Sequence, residues 1–180
     1  KKALKLMEEI GPNTFEYYVY GGAYTEPLLN KYFMDFIRLT KKNNAFFGIH
    51  TNGSQIKKLH EKDKFCTELV SLMEEPRDYI SISLDGGSPE SHSKTKNIKY
   101  DAWTDIIEGI KILVRERERL KSKGSIRVAY LLNKWNSSEE ELKNFINLMK
   151  GIKVDSLRFS IPYAQYGKEV KNVQSYKQRV

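Results

Sequence analysis

Three short glycine-bearing segments of this chain hold the residues whose types could do chemistry. The first is Gly21-Gly22 with Glu26, inside Phe15 to Asn30 (FEYYVYGGAYTEPLLN). The second is Thr51-Asn52-Gly53, and the third is Asp85-Gly86-Gly87 with Ser83 just before it. Paired glycines let a backbone approach a ligand with no side chain in the way. A carboxylate at Glu26 can receive an ammonium or hydroxyl group. Pro27 behind it suits the first position of a helix, where its missing N–H costs nothing. Asn-Gly and Asp-Gly are also ordinary turn dipeptides, so each segment alone describes a turn as readily as a site. Together they offer carboxylates for an amino group and for hydroxyls, and backbone N–H groups for a carboxylate. That is the polarity of an amino-acid nucleoside rather than of a polyphosphate, and the sequence has no Gly-Lys-Ser/Thr phosphate loop.

Each segment follows a run that reads as a strand. Phe15 to Tyr20, Ala45 to His50, Tyr79 to Leu84, Ser125 to Leu132 and Val154 to Ile161 are rich in bulky or alternating residues. In YISISL the period of two puts Ile80, Ile82 and Leu84 on one face and Ser81, Ser83 and Asp85 on the other. Helical periodicity fills the gaps. It predicts a helix over 1–10 stopped by Gly11-Pro12, and one from Leu29 to Lys42. A third runs from Ile56 to Met73, interrupted near Asp63; a fourth carries Trp103 to Val114 and closes at Gly124. A fifth starts at a capping box on Ser137 or Ser138 with Glu140 or Glu141 and ends at Gly151. Ser88 to Tyr100 reads as a polar loop.

Strand–helix alternation with five strands requires parallel strands and right-handed crossovers. An open doubly wound sheet and a curved partial α/β barrel both satisfy it. Strands buried on both faces should be almost wholly apolar, whereas His50, Ser81, Ser83, Asp85, Arg158 and Ser160 give several strands a polar face. The expectation is therefore an α/β fold of the partial, TIM-like (β/α) barrel type, spanning 1–163, with a polar tail over 164–180. In either architecture the loops after the strands gather at one edge, where ligands bind. Asn133 ends a fourth strand at the same level.

The 180 residues, 39% hydrophobic and 12% aromatic, suit one globular domain with a real core. No apolar run is long enough to span a bilayer and no secretory signal is visible, so the expectation is a soluble cytoplasmic protein. The first residue is Lys1, already inside a helical pattern, and the chain reads as a fragment of something longer. A net charge of +8 raises the question of a nucleic-acid partner. Arginines alternate with glutamates at Arg115 to Lys123, however, and the other lysine pairs lie on polar helix faces, which describes a solvated surface. The single cysteine, Cys66, excludes an internal disulfide or a multi-cysteine metal site and fits a buried helical stripe.

From about Tyr17 to Ile161 the chain resembles the core of the radical S-adenosylmethionine (SAM) superfamily. GGAYTEPLLN is similar to the family's glycine–glycine–glutamate motif, HTNGS to its next strand end, and SISLDGGSPESH to its serine–any–aspartate segment. The resemblance implies a partial barrel that binds S-adenosylmethionine beside a [4Fe–4S] cluster. Reductive cleavage of that molecule yields a 5′-deoxyadenosyl radical that removes a hydrogen atom from a substrate. It further implies that Glu26, with the Gly21-Gly22 backbone, holds the methionine amino group, and that Ser83 and Asp85 face the ribose or methionine part. Lys96 would meet the methionine carboxylate, and Asn52 and Asn133 would be rim contacts. His50 and His92 read as structural histidines, and no substrate-side catalytic residue stands out.

Two departures from the family pattern matter. Ala23-Tyr24-Thr25 separate the glycines from Glu26, so Glu26 either reaches the pocket or only caps the helix opened by Pro27. The family's CxxxCxxC cluster loop and the strand before it are missing, and thiolates are what hold such clusters. The resemblance thus implies a parent enzyme, served by an external electron donor, of which this chain is a cluster-free and inactive piece. A degenerate domain of the same fold that binds a nucleoside or a protein is the alternative. The substrate stays open, and a missing first strand implies an unpaired sheet edge with a tendency to self-associate.

Overall fold

The computed structural model describes residues 2–22, 25–99 and 101–161. The polar tail expected over 164–180 lies outside them. Five strands form one sheet: β1 (Tyr17–Tyr20), β2 (Phe46–Thr51), β3 (Tyr79–Ser83), β4 (Ser125–Leu131) and β5 (Ser156–Ser160). Their spatial order is their chain order, and every pairing is parallel. Each connection therefore steps one strand in the same direction. With right-handed crossovers, that places every connecting helix on the same face. A doubly wound sheet would reverse its order partway, and this one does not. The arrangement is the singly wound α/β architecture of barrel folds.

The helices form one continuous layer. They are α1 (Lys2–Ile10), α2 (Phe33–Lys42), α3 (Ile56–Asp63), α4 (Phe65–Leu72), α5 (Pro89–Lys96), α6 (Asp101–Leu120) and α7 (Glu139–Ile152). α1 touches α2, α2 touches α4, α4 touches α6, and α6 touches α7. Phe47, Ile49, Ile80, Ile82, Leu84, Ile126, Val128 and Tyr130 point from the sheet into this layer. They meet Ile37, Leu69, Val70, Ile106, Ile110, Leu113, Phe145 and Met149, all buried. Cys66 lies in the same core, and burial pushes its thiol up to about 12.

Two polar brackets fix the strand ends. Asp78, its side chain wholly buried, accepts from Phe47 N at 3.0 Å and Glu75 N at 3.1 Å, and pairs with Lys41 Nζ at 2.8 Å. At the opposite end, Asp85 Oδ1 accepts from Leu131 N at 2.6 Å and Oδ2 pairs with Lys96 Nζ at 2.5 Å. Asn136, also buried, donates to the carbonyls of Asp85 and Leu131 and accepts from Asn133 N.

Several element limits differ from the sequence expectation. The segment expected as a loop from Ser88 contains α5: Ser88 caps it, accepting from Ser91 N at 3.2 Å, with Pro89 in the first turn. The segment PESHSKTK lacks an apolar stripe and is held by its cap and by buried Ser91 and His92. The helix expected from Leu29 is a 3-10 turn (Pro27–Leu29) followed by α2, and Leu29 is 70% exposed. α6 ends on Lys121 in the left-handed region rather than at Gly124, whose missing Cβ instead makes room for Met73. α7 likewise ends on left-handed Lys153, one residue past Ile152 and beyond Gly151. The interruption expected near Asp63 is the left-handed Lys64, where α3 ends and α4 begins.

Candidate functional site

The face of the sheet away from the helices is polar and layered. Strand register sets the layers, because residues paired across strands share a level. Val19, Gly48, Tyr79 and Ser125 form one level; His50, Ser81, Arg127 and Ser156 form the next; Ser83, Ala129 and Arg158 form the one above. In the lowest of these, Tyr79 lies across the sheet over Gly48, where a Cβ would collide with its ring. Tyr17 stacks on Tyr79 with centroids 6.3 Å apart, and the Arg127 guanidinium sits 4.0 Å from the Tyr79 centroid. Tyr79 Oη and His50 Nε2 are 2.9 Å apart. Burial, then the charges of Arg158 and Arg127, hold the His50 imidazole below its usual range, so its neutral form is favoured.

Above this floor, at the C-terminal ends of the strands, opens a cavity of about 780 Å³. Gly21, Gly22 and Glu26 line it from the β1 side and Thr51 and Asn52 from the β2 end. Ser83, Lys96 and Arg158 line the far side. Gly21 has φ +100°, and any Cβ there would overlap the His50 carbonyl. This position requires glycine because β1 hugs β2 while its chain turns out towards the cavity.

Glu26 does both things the sequence left open. Its Oε1 accepts from Leu28 N at 3.1 Å, capping the 3-10 turn, and from Thr51 Oγ1 at 2.6 Å; its Oε2 accepts from Asn52 N at 2.7 Å. The carboxylate ties the β1 loop to the β2 loop and still borders the cavity. The three-residue spacing from the glycines is accommodated by a small loop closed by a bridge between Gly22 and Thr25.

Six of the eight residues expected from sequence thus line one cavity: Gly21, Gly22, Glu26, Asn52, Ser83 and Lys96. Asp85 and Asn133 stand beside it. Asp85 is occupied by Leu131 N and Lys96. The Asn133 amide is shared among Thr95 Oγ1, Leu131 O and Trp135 N. A smaller cavity of about 300 Å³ adjoins through Asn52, Ser83 and Lys96 and runs between Ile98, Ala102 and Ile106. His92 lines it, 1% exposed, and burial followed by the Lys96 charge depresses its basicity.

Sequence reasoning passed over Arg127 and Tyr79 as site residues. The signal was available: in SIRVAYL the apolar Ile126, Val128 and Tyr130 alternate with Arg127, which places Arg127 on the face of Ser81 and Arg158. Asn136, which braces the rim, gave no signal, because polar loop residues look alike whether solvated or bonded. Glu141 was read as a capping-box partner, but while Ser138 accepts from its N–H, its carboxylate turns to Gly87, Ser88 and Ser91.

No protein-family model and no curated protein sequence matches the chain. Solved structures share its architecture, two of them as follows. SuiB of Streptococcus suis superposes with a TM-score of 0.67 at 13% identity, over 98% of this chain and 37% of that one. An archaeal TYW1 superposes with a TM-score of 0.52 at 19% identity, over 77% of this chain and 40% of that one. At these identities the likeness is one of fold: a single sheet of five parallel strands with flanking helices, an α/β architecture. The chain spans less than half the length of either structure.

Proposed function

We propose that this chain is core sequence of a radical SAM enzyme and that the 780 Å³ cavity is its S-adenosylmethionine site. The observation that carries the reading is the convergence of Gly21, Gly22, Glu26, Asn52, Ser83 and Lys96 on one hollow at the C-terminal edge of a singly wound parallel sheet. The fold likeness to SuiB and TYW1, both radical SAM enzymes, supports it. In this reading the Gly21-Gly22 backbone and the Glu26 carboxylate receive the methionine ammonium. Asn52 and Ser83 meet hydroxyls, and Lys96, held by Asp85, faces the methionine carboxylate. The bound molecule would supply a 5′-deoxyadenosyl group for hydrogen abstraction in the parent enzyme.

This chain's own residues do not fit a [4Fe–4S] cluster. Cluster ligation takes several accessible thiolates, whereas Cys66 is the single cysteine of the sequence and is buried in the core as a thiol. The cluster and the external electron donor belong, in this proposal, to a longer protein. The lone cysteine also favours a second reading, a non-catalytic nucleoside-binding domain of the same fold.

Calorimetric titration of the 180-residue chain with S-adenosylmethionine tests the site. Saturable one-to-one binding that is weakened by Asn52→Ala and Ser83→Ala is expected, and a flat titration overturns it. Coding sequence upstream with three cysteines spaced CxxxCxxC decides for the enzyme; complete upstream sequence without them decides for the binding domain.

A further inference from the structure

Two arginines meet at the cavity with no ion-pair partner among the described residues: Arg158 lines its wall, and Arg127 lies one level beneath on the same face. Arg127 and Arg158 stand on adjacent strands one level apart on the same face, since Arg158 pairs in register with Ala129, two residues beyond Arg127. Both side chains rise from the same face of neighbouring strands. Both guanidinium groups act on His50, which lines the cavity. Among the described residues neither is in an ion pair. Among the described residues Arg158 donates from Nε to Ser160 Oγ at 3.4 Å. Arg127 is held by its cation–π contact with Tyr79. The carboxylates at the cavity are turned to other groups: Glu26 is anchored at the β1–β2 rim by Leu28 N, Thr51 Oγ1 and Asn52 N, and Asp85 is spent on Leu131 N and Lys96.

Two like charges on one face, with no ion-pair partner among the described residues, repel each other. Each also offers a planar fork of donors that matches an oxyanion in two-point contact. The Tyr79 ring beneath Arg127 orients one of these forks instead of leaving it to wander in solvent. We infer that the molecule transformed in this cavity carries a carboxylate or phosphate group, which Arg158 receives from the cavity wall and Arg127 from the floor beneath it. The inference deepens the reading above and rests on it in calling that molecule the substrate. The anion site itself requires only the two arginines.

The test runs two titrations of the wild-type chain side by side, one with S-adenosylmethionine and one with simple anions. Inorganic phosphate and succinate are the anionic probes, each against a chloride background. Binding of either probe is expected, and whichever binds tighter names the group. Arg127→Gln and Arg158→Gln should each weaken that probe by about tenfold or more, the loss typical of a charge-assisted hydrogen bond. A measurement on unaltered protein covers the case in which a variant fails to fold. The His50 ring signal, followed by NMR across pH, should titrate at higher pH once the anion is present, because a neighbouring negative charge favours the imidazolium. Absence of phosphate and succinate binding, or probe affinity unchanged in the variants, overturns the inference even if S-adenosylmethionine binds. Anion binding without S-adenosylmethionine binding overturns the cofactor reading and leaves the anion site standing.

Discussion

Removing the Glu26 carboxylate should loosen the rim as well as the site. In Glu26→Ala, Leu28 N, Thr51 Oγ1 and Asn52 N all lose their acceptor. A hydrogen bond to a charged group contributes about 1.5–3 kcal/mol. Asn52 is exposed and its N–H can turn to water, so its share is small. Leu28 and Thr51 are buried residues, and two bonds at the lower value amount to about 3 kcal/mol. For a chain of this size that corresponds to a fall in Tm of about 6–12 °C. Glu26→Gln keeps one acceptor oxygen and should lose about half as much. Urea unfolding followed by circular dichroism gives the energies, and a double-mutant cycle with Thr51→Val should return a coupling of about 1–2 kcal/mol. If Glu26→Ala unfolds within about 0.5 kcal/mol of wild type, the carboxylate is not the clasp between the two loops, and the reasoning fails.

Three further outcomes are expected. Asp78→Ala leaves Lys41 without its partner and Phe47 N without its acceptor, and should cost about 3–5 kcal/mol in the same unfolding assay. His50 and His92 both have depressed folded pKa values, chiefly through burial. The unfolded chain therefore takes up protons first, and stability present above an unfolded value of about 6.5 is lost as pH falls below it. Tm should drop between pH 7 and pH 5.5, and His92→Leu should flatten that slope; parallel slopes would contradict the assignment. Cys66, its thiol pushed up to about 12 by burial, should stay unreactive to a thiol reagent in native buffer and react at once in denaturant; rapid native labelling would place it outside the core.

The parts of the fold that sequence revealed are those governed by periodicity. Alternation in YISISL assigned Ile80 and Ile82 to one face and Ser81 and Ser83 to the other, and the structure buries both isoleucines in the core against the helices. The regular succession of strands and helices fixed the parallel sheet, and its polar face favoured the barrel type over the doubly wound one. What stayed hidden depends on single polar contacts made at long sequence separation. α5 has no apolar stripe, so only the Ser88-Pro89 start could have announced it. Glu26 was legible as a cavity residue or a cap, but its grip on Thr51 and Asn52 joins residues 25 and 26 positions away. Asp85 shows the same limit from the other side. A carboxylate after a strand looks available to a ligand until the next strand's N–H is found on it.

Glu141 gives the cavity a remote adjuster. From α7 it accepts from Gly87 N at 2.6 Å and from the hydroxyls of Ser88 and Ser91, gripping the start of α5, whose last turn carries Lys96. One wall of the mouth is therefore indexed to a helix belonging to the following repeat. Rotation or slippage of α7 by a fraction of a turn would drag α5 with it and reset the Lys96–Asp85 pairing. A change on that outer helix could retune what the hollow accepts without altering any residue that borders it.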